Sequence, residues 1–138
     1  MRKLLFTLLL ATLSGTTSGQ AFHKGNVFTL HVIKVRLKSG ITNEQFTAFM
    51  TGEFLPAWEE HYEGVETILI RAIRGANESE FGWINYYESE EKLKEYYPEP
   101  GVQSDKAKAA DQKMKPLEKE LLGFGTMRYS GYTTWLVQ

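Results

Sequence analysis

The stretch FGWINYYESEEKLKEYY, from Phe81 to Tyr97, joins an aromatic strand directly to the start of a helix. Its first part, Phe81 to Tyr87, is dominated by aromatic side chains, which favour strands. Ser89 is a favourable N-cap residue, and Glu90 and Glu91 follow it in the first turn, near the positive end of the helix dipole. The sequence therefore predicts a strand that is followed at once by an amphipathic helix.

Upstream of this join, the chain predicts a long strand and a long helix. Val27 to Leu37 is a β-branched run with two largely apolar faces, so we expect a strand that is covered on both sides. Thr42 and Gln45 have the spacing of a capping box at a helix start. Pro56 should kink this helix because it has no N–H to donate. Large apolar residues at a spacing of four give the helix one buried side: Phe46, Met50, Phe54, Trp58 and Tyr62.

The remaining elements complete the order β-α-β-β-α-β. A short polar turn joins the second and third strands, which requires an antiparallel hairpin. Prolines and a glycine then break the second helical region into two helices. The predicted bounds are Val65 to Arg74 and Glu80 to Tyr87 for the hairpin strands, Pro98 to Gly101 for the break, Ser104 to Leu121 for the last helix, and Thr126 to Val137 for a strand with a bulge at Gly131.

This order predicts an α+β, ferredoxin-like fold, in which helices cover one face of a four-stranded antiparallel sheet. The other face is left uncovered. We expect it to carry Ile33, Trp83, Tyr87 and Trp135, which is more apolar area than a soluble monomer leaves in water. A second copy of the chain, packed sheet to sheet about a two-fold axis, is the simplest cover, so we expect a homodimer.

The N-terminus has the pattern of a signal peptide. Arg2 and Lys3 precede an apolar run, Leu4 to Leu13, that is too short to span a bilayer. Small residues follow it, and cleavage after Gly19 or Ala21 fits equally well. No cysteine follows the run, so we expect a periplasmic or secreted protein with no membrane anchor after cleavage. The predicted regions are a signal peptide, 1–21, and one domain, 22–138.

The charge and the cysteine count exclude some classes of partner and stabilisation. Removal of Arg2 and Lys3 leaves 14 of the 16 basic residues against 17 acidic ones, so the formal net charge moves from -1 to -3. This balance gives no electrostatic case for binding nucleic acid or an anionic membrane. With 0 cysteines, the chain must be stabilised by core packing rather than by disulfides.

Three features follow one another in this chain. They are an aromatic strand that ends in Tyr86-Tyr87-Glu88-Ser89-Glu90-Glu91, a break made by Pro and Gly, and a Lys- and Ala-rich helix with Lys115-Pro116-Leu117. In these features the chain resembles the antibiotic-biosynthesis-monooxygenase-like and NIPSNAP-like members of the dimeric α/β-barrel superfamily. The resemblance implies that the uncovered sheet faces of two chains form a barrel, and that a small-molecule ligand lies between each sheet and its helices.

The same resemblance bears on cofactors. Some members of the superfamily bind haem through a histidine in the second helical region. Here Lys106, with Ser104 and Asp105, stands where that histidine is expected, and the stretch from Glu90 to Leu122 contains no histidine. We therefore expect neither haem nor another cofactor. The histidines also lack HxH or HxxxH spacing, so no metal site is predicted.

Three polar residues are candidates for chemistry. His31 lies in a covered strand, where a displaced pKa would suit a base or a ligand-orienting group, although a hydrogen-bonded structural histidine is the simpler alternative. Arg71 and Asn85 interrupt apolar strands and need partners if they are buried. They can bind a polar ligand group, or pair with the backbone or across the dimer. The turn does not fix whether Arg71 shares a face with Trp83.

Aromatic side chains are the other candidates. Trp83, Tyr87 and Trp135 can line a cavity for a flat ligand, or can simply pack in a core or interface. Two functions therefore stay open. One is an exported, non-catalytic dimer that binds a small, partly aromatic molecule, which we favour because no residue has an unambiguous chemical role. The alternative is a cofactor-independent monooxygenase-like enzyme in which His31, Arg71 and Asn85 orient the substrate.

Overall fold

The computed structural model describes residues 22–76 and 78–138, so the predicted signal peptide, 1–21, lies outside the described residues. Four strands and four α-helices follow one another in the predicted order, and a π-helical segment joins the first two helices. The elements are β1 (Val27–Leu37), α1 (Asn43–Phe49), the π-helical segment (Met50–Phe54), α2 (Leu55–His61), β2 (Val65–Arg71), β3 (Phe81–Tyr87), α3 (Glu90–Tyr96), α4 (Asp105–Phe124) and β4 (Gly125–Leu136).

The strands form one antiparallel sheet in the order β2-β3-β1-β4. This order, with the helices on one face, confirms the ferredoxin-like prediction. The predicted bulge in β4 lies beside Gly131. Gly131 pairs with Val32, whereas Tyr129 pairs with Ile33, so Ser130 is the extra residue.

The first helical region begins on the predicted capping box and is widened before its proline. The Thr42 side chain accepts a hydrogen bond from the backbone N–H of Gln45, and the Gln45 side chain accepts one from the backbone N–H of Thr42. Between α1 and α2, the backbone N–H of Leu55 donates to the carbonyl of Met50, five residues earlier. Pro56 follows at once, so the π-helical segment stands where the sequence predicts a kink.

The predicted contents of the uncovered face are partly wrong. Ile33, Trp83 and Tyr87 are at most 8% exposed and face the helices. Trp135 lies on the opposite face, 53% exposed, and stacks on Phe28. The bulge at Ser130 explains why Trp135 does not share a face with Ile33, Trp83 and Tyr87, because one extra residue reverses the alternation of β4. Without the bulge, Trp135 would share a face with Tyr129 and therefore with Ile33.

The helix face of the sheet packs in two clusters that meet at one residue of α2. One cluster holds Ile33, Phe46 and Met50, and the other holds Tyr62, Tyr87 and Tyr96, among others. Trp58 packs against both clusters, and its ring stacks on Tyr62 at 4.3 Å between centroids. The predicted apolar side of the first helical region therefore builds the core.

Among the helices that the structure describes, none is long and apolar enough to cross a membrane.

Candidate functional site

A cavity of about 990 Å³ lies between the sheet and the helices and is open to solvent. This volume is at the upper end of the range of small-molecule sites, about 300–1,000 Å³. Strands β1, β3 and β4 form its floor, and the π-helical segment, α2, α3, α4 and the segment that joins α3 to α4 form its other walls. Met50 and Phe54, at the two ends of the π-helical segment, both face it. The irregular turn before Pro56 thus helps to shape the cavity.

His31 is the polar centre of the cavity floor. Its Nε2 atom lies 3.1 Å from the hydroxyl of Thr29 and 3.4 Å from the amide nitrogen of Asn85. With the Asn85 amide in this orientation its nitrogen donates to Nε2, which places the ring proton on Nδ1. Burial lowers the pKa of His31 to about 4. At neutral pH His31 is therefore an uncharged hydrogen-bond acceptor.

Aromatic rings surround this histidine. The Trp83 ring stacks on His31 at 5.0 Å between centroids and 18° between planes. Tyr132 lies against the imidazole at 5.0 Å, and Tyr129 makes edge contacts with both His31 and Trp83. These surfaces are flat and apolar, with polar groups only at their edges. They match a ligand that carries an aromatic ring.

Asn85 holds an unsatisfied acceptor in this floor. Its side chain is 3% exposed, and its Oδ1 atom is buried without a hydrogen-bond partner. In the part of the chain that the structure describes, Trp58 Nε1 is the other buried side-chain atom without one. A buried polar atom without a partner costs about 1–3 kcal/mol, so such atoms are rare outside functional sites. Oδ1 itself has almost no accessible surface, so a ligand donor would reach it from the cavity only after a small movement of the side chains that cover it.

The α4 side of the cavity carries a carboxylate. Asp111 accepts hydrogen bonds from the Tyr62 hydroxyl and from the Gln103 amide. The Tyr97 hydroxyl lies 3.5 Å from that of Tyr62, which extends the network toward α3. Burial, reinforced by Asp111, raises the pKa of Tyr62, so this phenol remains protonated and donates. The cavity therefore has a neutral floor and a negatively charged α4 side.

The structure separates the candidate residues into two groups. His31 and Asn85 meet in the cavity floor, and Trp83 and Tyr87 line the same cavity. Arg71 shares the helix face with Trp83, because Leu69 pairs with Trp83 and Arg71 pairs with Phe81. Its guanidinium carbon nevertheless lies 5.6 Å from the Phe81 ring centroid, at an exposed strand end outside the cavity. Trp135, on the opposite sheet face, is not part of the lining either.

Thr29 and Asp111 also belong to the site, although the sequence did not single them out. Thr29 is two residues from His31 in an alternating strand, so the two necessarily share a face. Asp111 interrupts the apolar side of α4, between Ala107 and Met114. A carboxylate at such a position was a usable signal. Among the described residues, no group of His, Cys, Asp and Glu is arranged to hold a metal ion.

Two solved structures are similar to this one. SnoaB, a cofactor-independent oxygenase from Streptomyces nogalater, is 11% identical over 83% of this chain and 94% of its own, with a TM-score of 0.45. A dimeric protein of unknown function and ferredoxin-like fold from Bacteroides fragilis is also 11% identical, over 83% and 99%, with a TM-score of 0.44. No family model and no curated protein matches the chain. Both likenesses concern the fold alone.

Proposed function

We propose that this protein binds a small, partly aromatic molecule in the cavity, and that a hydroxyl of this ligand donates a hydrogen bond to Asn85. The observation that carries the proposal is the buried, unpartnered Oδ1 atom of Asn85 in an aromatic floor. A ligand donor there would remove the cost of the unsatisfied acceptor. The Trp83 and Tyr132 rings beside His31 supply apolar area for the rest of the molecule.

The state of His31 favours binding over acid–base catalysis. An efficient general base has a pKa near the working pH. The pKa of His31, about 4, is lower than that of a phenol, about 10, by some six units. His31 is therefore a poor acceptor for the phenol proton, but it is a good fixed group for orienting Thr29 and Asn85. A passive binding site needs no more than this.

Matched phenols and their methyl ethers test the proposal. In calorimetric titration of the purified protein, we expect phenols to bind about 10- to 100-fold more tightly than ethers of the same skeleton, since the ethers cannot donate to Asn85. The Asn85→Leu variant should bind both with equal, weak affinity. Gln112→Leu, an exposed amide on α4, is the matched control and should behave like the wild type. Equal binding of phenols and ethers by the wild type would contradict the proposal.

A cofactor-independent oxygenase is the second candidate, and the proximity of His31 to Asn85 within an aromatic cavity favours it. An enzyme of this kind would consume oxygen when it is given a quinol. The binding proposal predicts no consumption above that of the buffer, measured with a chelator present. Consumption that the His31→Gln variant abolishes would establish the enzyme instead.

We further propose that two copies pack through the open face, the sheet face turned away from the helices. Phe28 and Trp135 stack there at 6.2 Å, and Phe22 contacts both Phe28 and Tyr86. Ile68 on the same face is 48% exposed. Continuous aromatic and aliphatic area of this kind is normally covered by a partner, and a two-fold copy offers the same surface in return.

Sedimentation tests this arrangement directly. We expect a dimer at micromolar concentration. Leu30→Lys should weaken its association at least about tenfold, because a charge in the middle of an apolar interface is buried without a partner. Leu30 pairs with Ile84 and with Thr133, which places it centrally on the open face. Ala109→Lys, exposed on α4, is the control and should not change the association. A wild-type monomer would refute the dimer.

We also propose that the chain is exported to the periplasm or outside the cell. The basic, apolar and small residues of 1–21 support this. The mass of the protein recovered from the exported fraction should correspond to cleavage after Gly19 or Ala21. Recovery of the uncleaved chain in the cytoplasm would contradict it.

A further inference from the structure

We propose, on the basis of the binding function above, that the ligand carries a protonated amine, which lies on the α4 side of the cavity beside Asp111 and Glu118. The ligand would thus have two polar ends. Its hydroxyl would face the sheet floor at Asn85, and its ammonium group would face the carboxylates of α4.

The charges around the cavity favour a cation. Four of the lining residues are carboxylates: Glu90, Glu99, Asp111 and Glu118. Lys94 is the one lining lysine or arginine in the described part of the chain, and it pairs with Glu90 at 2.9 Å. Three carboxylates therefore have no cation to balance them within the lining. A carboxylate or phosphate ligand would be repelled, and an ammonium group would be attracted.

Two of these carboxylates contribute to raised pKa values of phenols in the cavity wall. Tyr129 lines the cavity and is 71% exposed; partial burial, with contributions from Glu118 and Asp111, raises the pKa of its phenol. Burial, with a smaller contribution from Asp111, also raises the pKa of Tyr97, another lining residue. The negative field therefore reaches the aromatic rings against which a ligand would lie. These rings can contribute cation–π attraction to an ammonium group.

The floor of the cavity fixes the orientation of such a ligand. Burial lowers the pKa of His31, so the ring is uncharged at neutral pH. A ligand amine beside it would face the same desolvation of its charged form. The floor therefore suits an ammonium group less well than the α4 side, where Asp111 and Glu118 lie. The unpartnered Oδ1 of Asn85, on a side chain that is 3% exposed, needs a donor that can be buried without charge, such as a hydroxyl. The floor of the cavity thus favours the hydroxyl of the ligand, and the α4 side favours its ammonium group.

Three compounds of the same skeleton separate the amine from the phenol. Tyramine, 4-hydroxyphenethyl alcohol and 4-hydroxyphenylacetate share a phenol and a short side chain, and they are positive, neutral and negative at pH 7. In titration calorimetry at low salt, we expect tyramine to bind at least about tenfold more tightly than the alcohol, and the acid to bind most weakly. The difference between tyramine and the alcohol should shrink in 0.5 M NaCl, since exposed carboxylates are screened.

Variants locate the effect. Glu118→Gln should weaken the binding of tyramine about three- to tenfold and leave that of the alcohol unchanged. Glu60→Gln, an exposed carboxylate of α2 outside the cavity, is the matched control and should change neither. If the alcohol binds as tightly as tyramine, the amine is refuted while the phenol site stands. If none of the three binds, both the amine and the proposed binding function fail.

Discussion

Acidification from pH 7.5 to pH 4.5 is expected to lower the free energy of unfolding by about 2 kcal/mol through His31 alone. Its pKa is about 4 in the folded protein, below the ordinary value of 6.5, because burial disfavours the imidazolium ion. Between these two values the unfolded chain binds more protons than the folded one. The stability contributed by His31 is therefore fully present above pH 6.5 and is lost as the pH falls toward 4. The full shift corresponds to about 3.4 kcal/mol, which we reduce because the ring is partly exposed to solvent.

Urea denaturation at pH 7.5, 6.0 and 4.5 measures this effect. Carboxylates also titrate in this range, so the informative quantity is the difference between the wild type and His31→Gln. The variant should lose about 2 kcal/mol less than the wild type over the interval. Gln112→Leu, exposed on α4 and not titratable, is the control and should follow the wild type. Identical pH dependence of the wild type and His31→Gln would show that the imidazole is not buried as described.

Local signals in the sequence were sufficient for the elements and for their order. The capping box at Thr42 and Gln45 and the cap at Ser89 depend on residues three positions apart, so they can be recognised without tertiary information. The interruption of an aromatic strand by Asn85 was equally local. It identified a residue that the fold places, buried, against His31. Such features depend on short spacings, which folding does not alter.

The assignment of faces could not be made in the same way. Both faces of β1 are apolar, so its alternation shows that Thr29, His31 and Ile33 share a face but not which face the helices cover. A single extra residue, Ser130, then reverses β4 and moves Trp135 to the open face. Arg71 was uncertain for a related reason, since the register of the hairpin is a property of the pairing. The sequence alone therefore predicted only some of the residues that form the cavity floor.

A methyl group at Gly125 is expected to lower the free energy of unfolding by about 3 kcal/mol, whereas one at Gly123 should raise it by about 0.5–1 kcal/mol. Gly125 is buried where α4 ends and β4 begins, directly opposite Leu37 of β1. A Cβ atom there would overlap the carbonyl oxygen of Arg36 and lie 2.9 Å from the Cα atom of Leu37. These are backbone atoms of the central strand, so the clash cannot be relieved by a rotamer change.

Gly123 is the matched position, two residues earlier. It lies within α4, is exposed, and would place its Cβ atom with nothing within 4 Å. Alanine there lowers the entropy of the unfolded chain without creating a clash. Urea denaturation of Gly123→Ala and Gly125→Ala at pH 7.5 compares one chemical change at both sites. A loss in Gly125→Ala no larger than the change in Gly123→Ala would contradict the close approach of β4 to β1. Because β4 carries Tyr129 and Tyr132 into the cavity, Gly125→Ala should also weaken ligand binding, whereas Gly123→Ala should not.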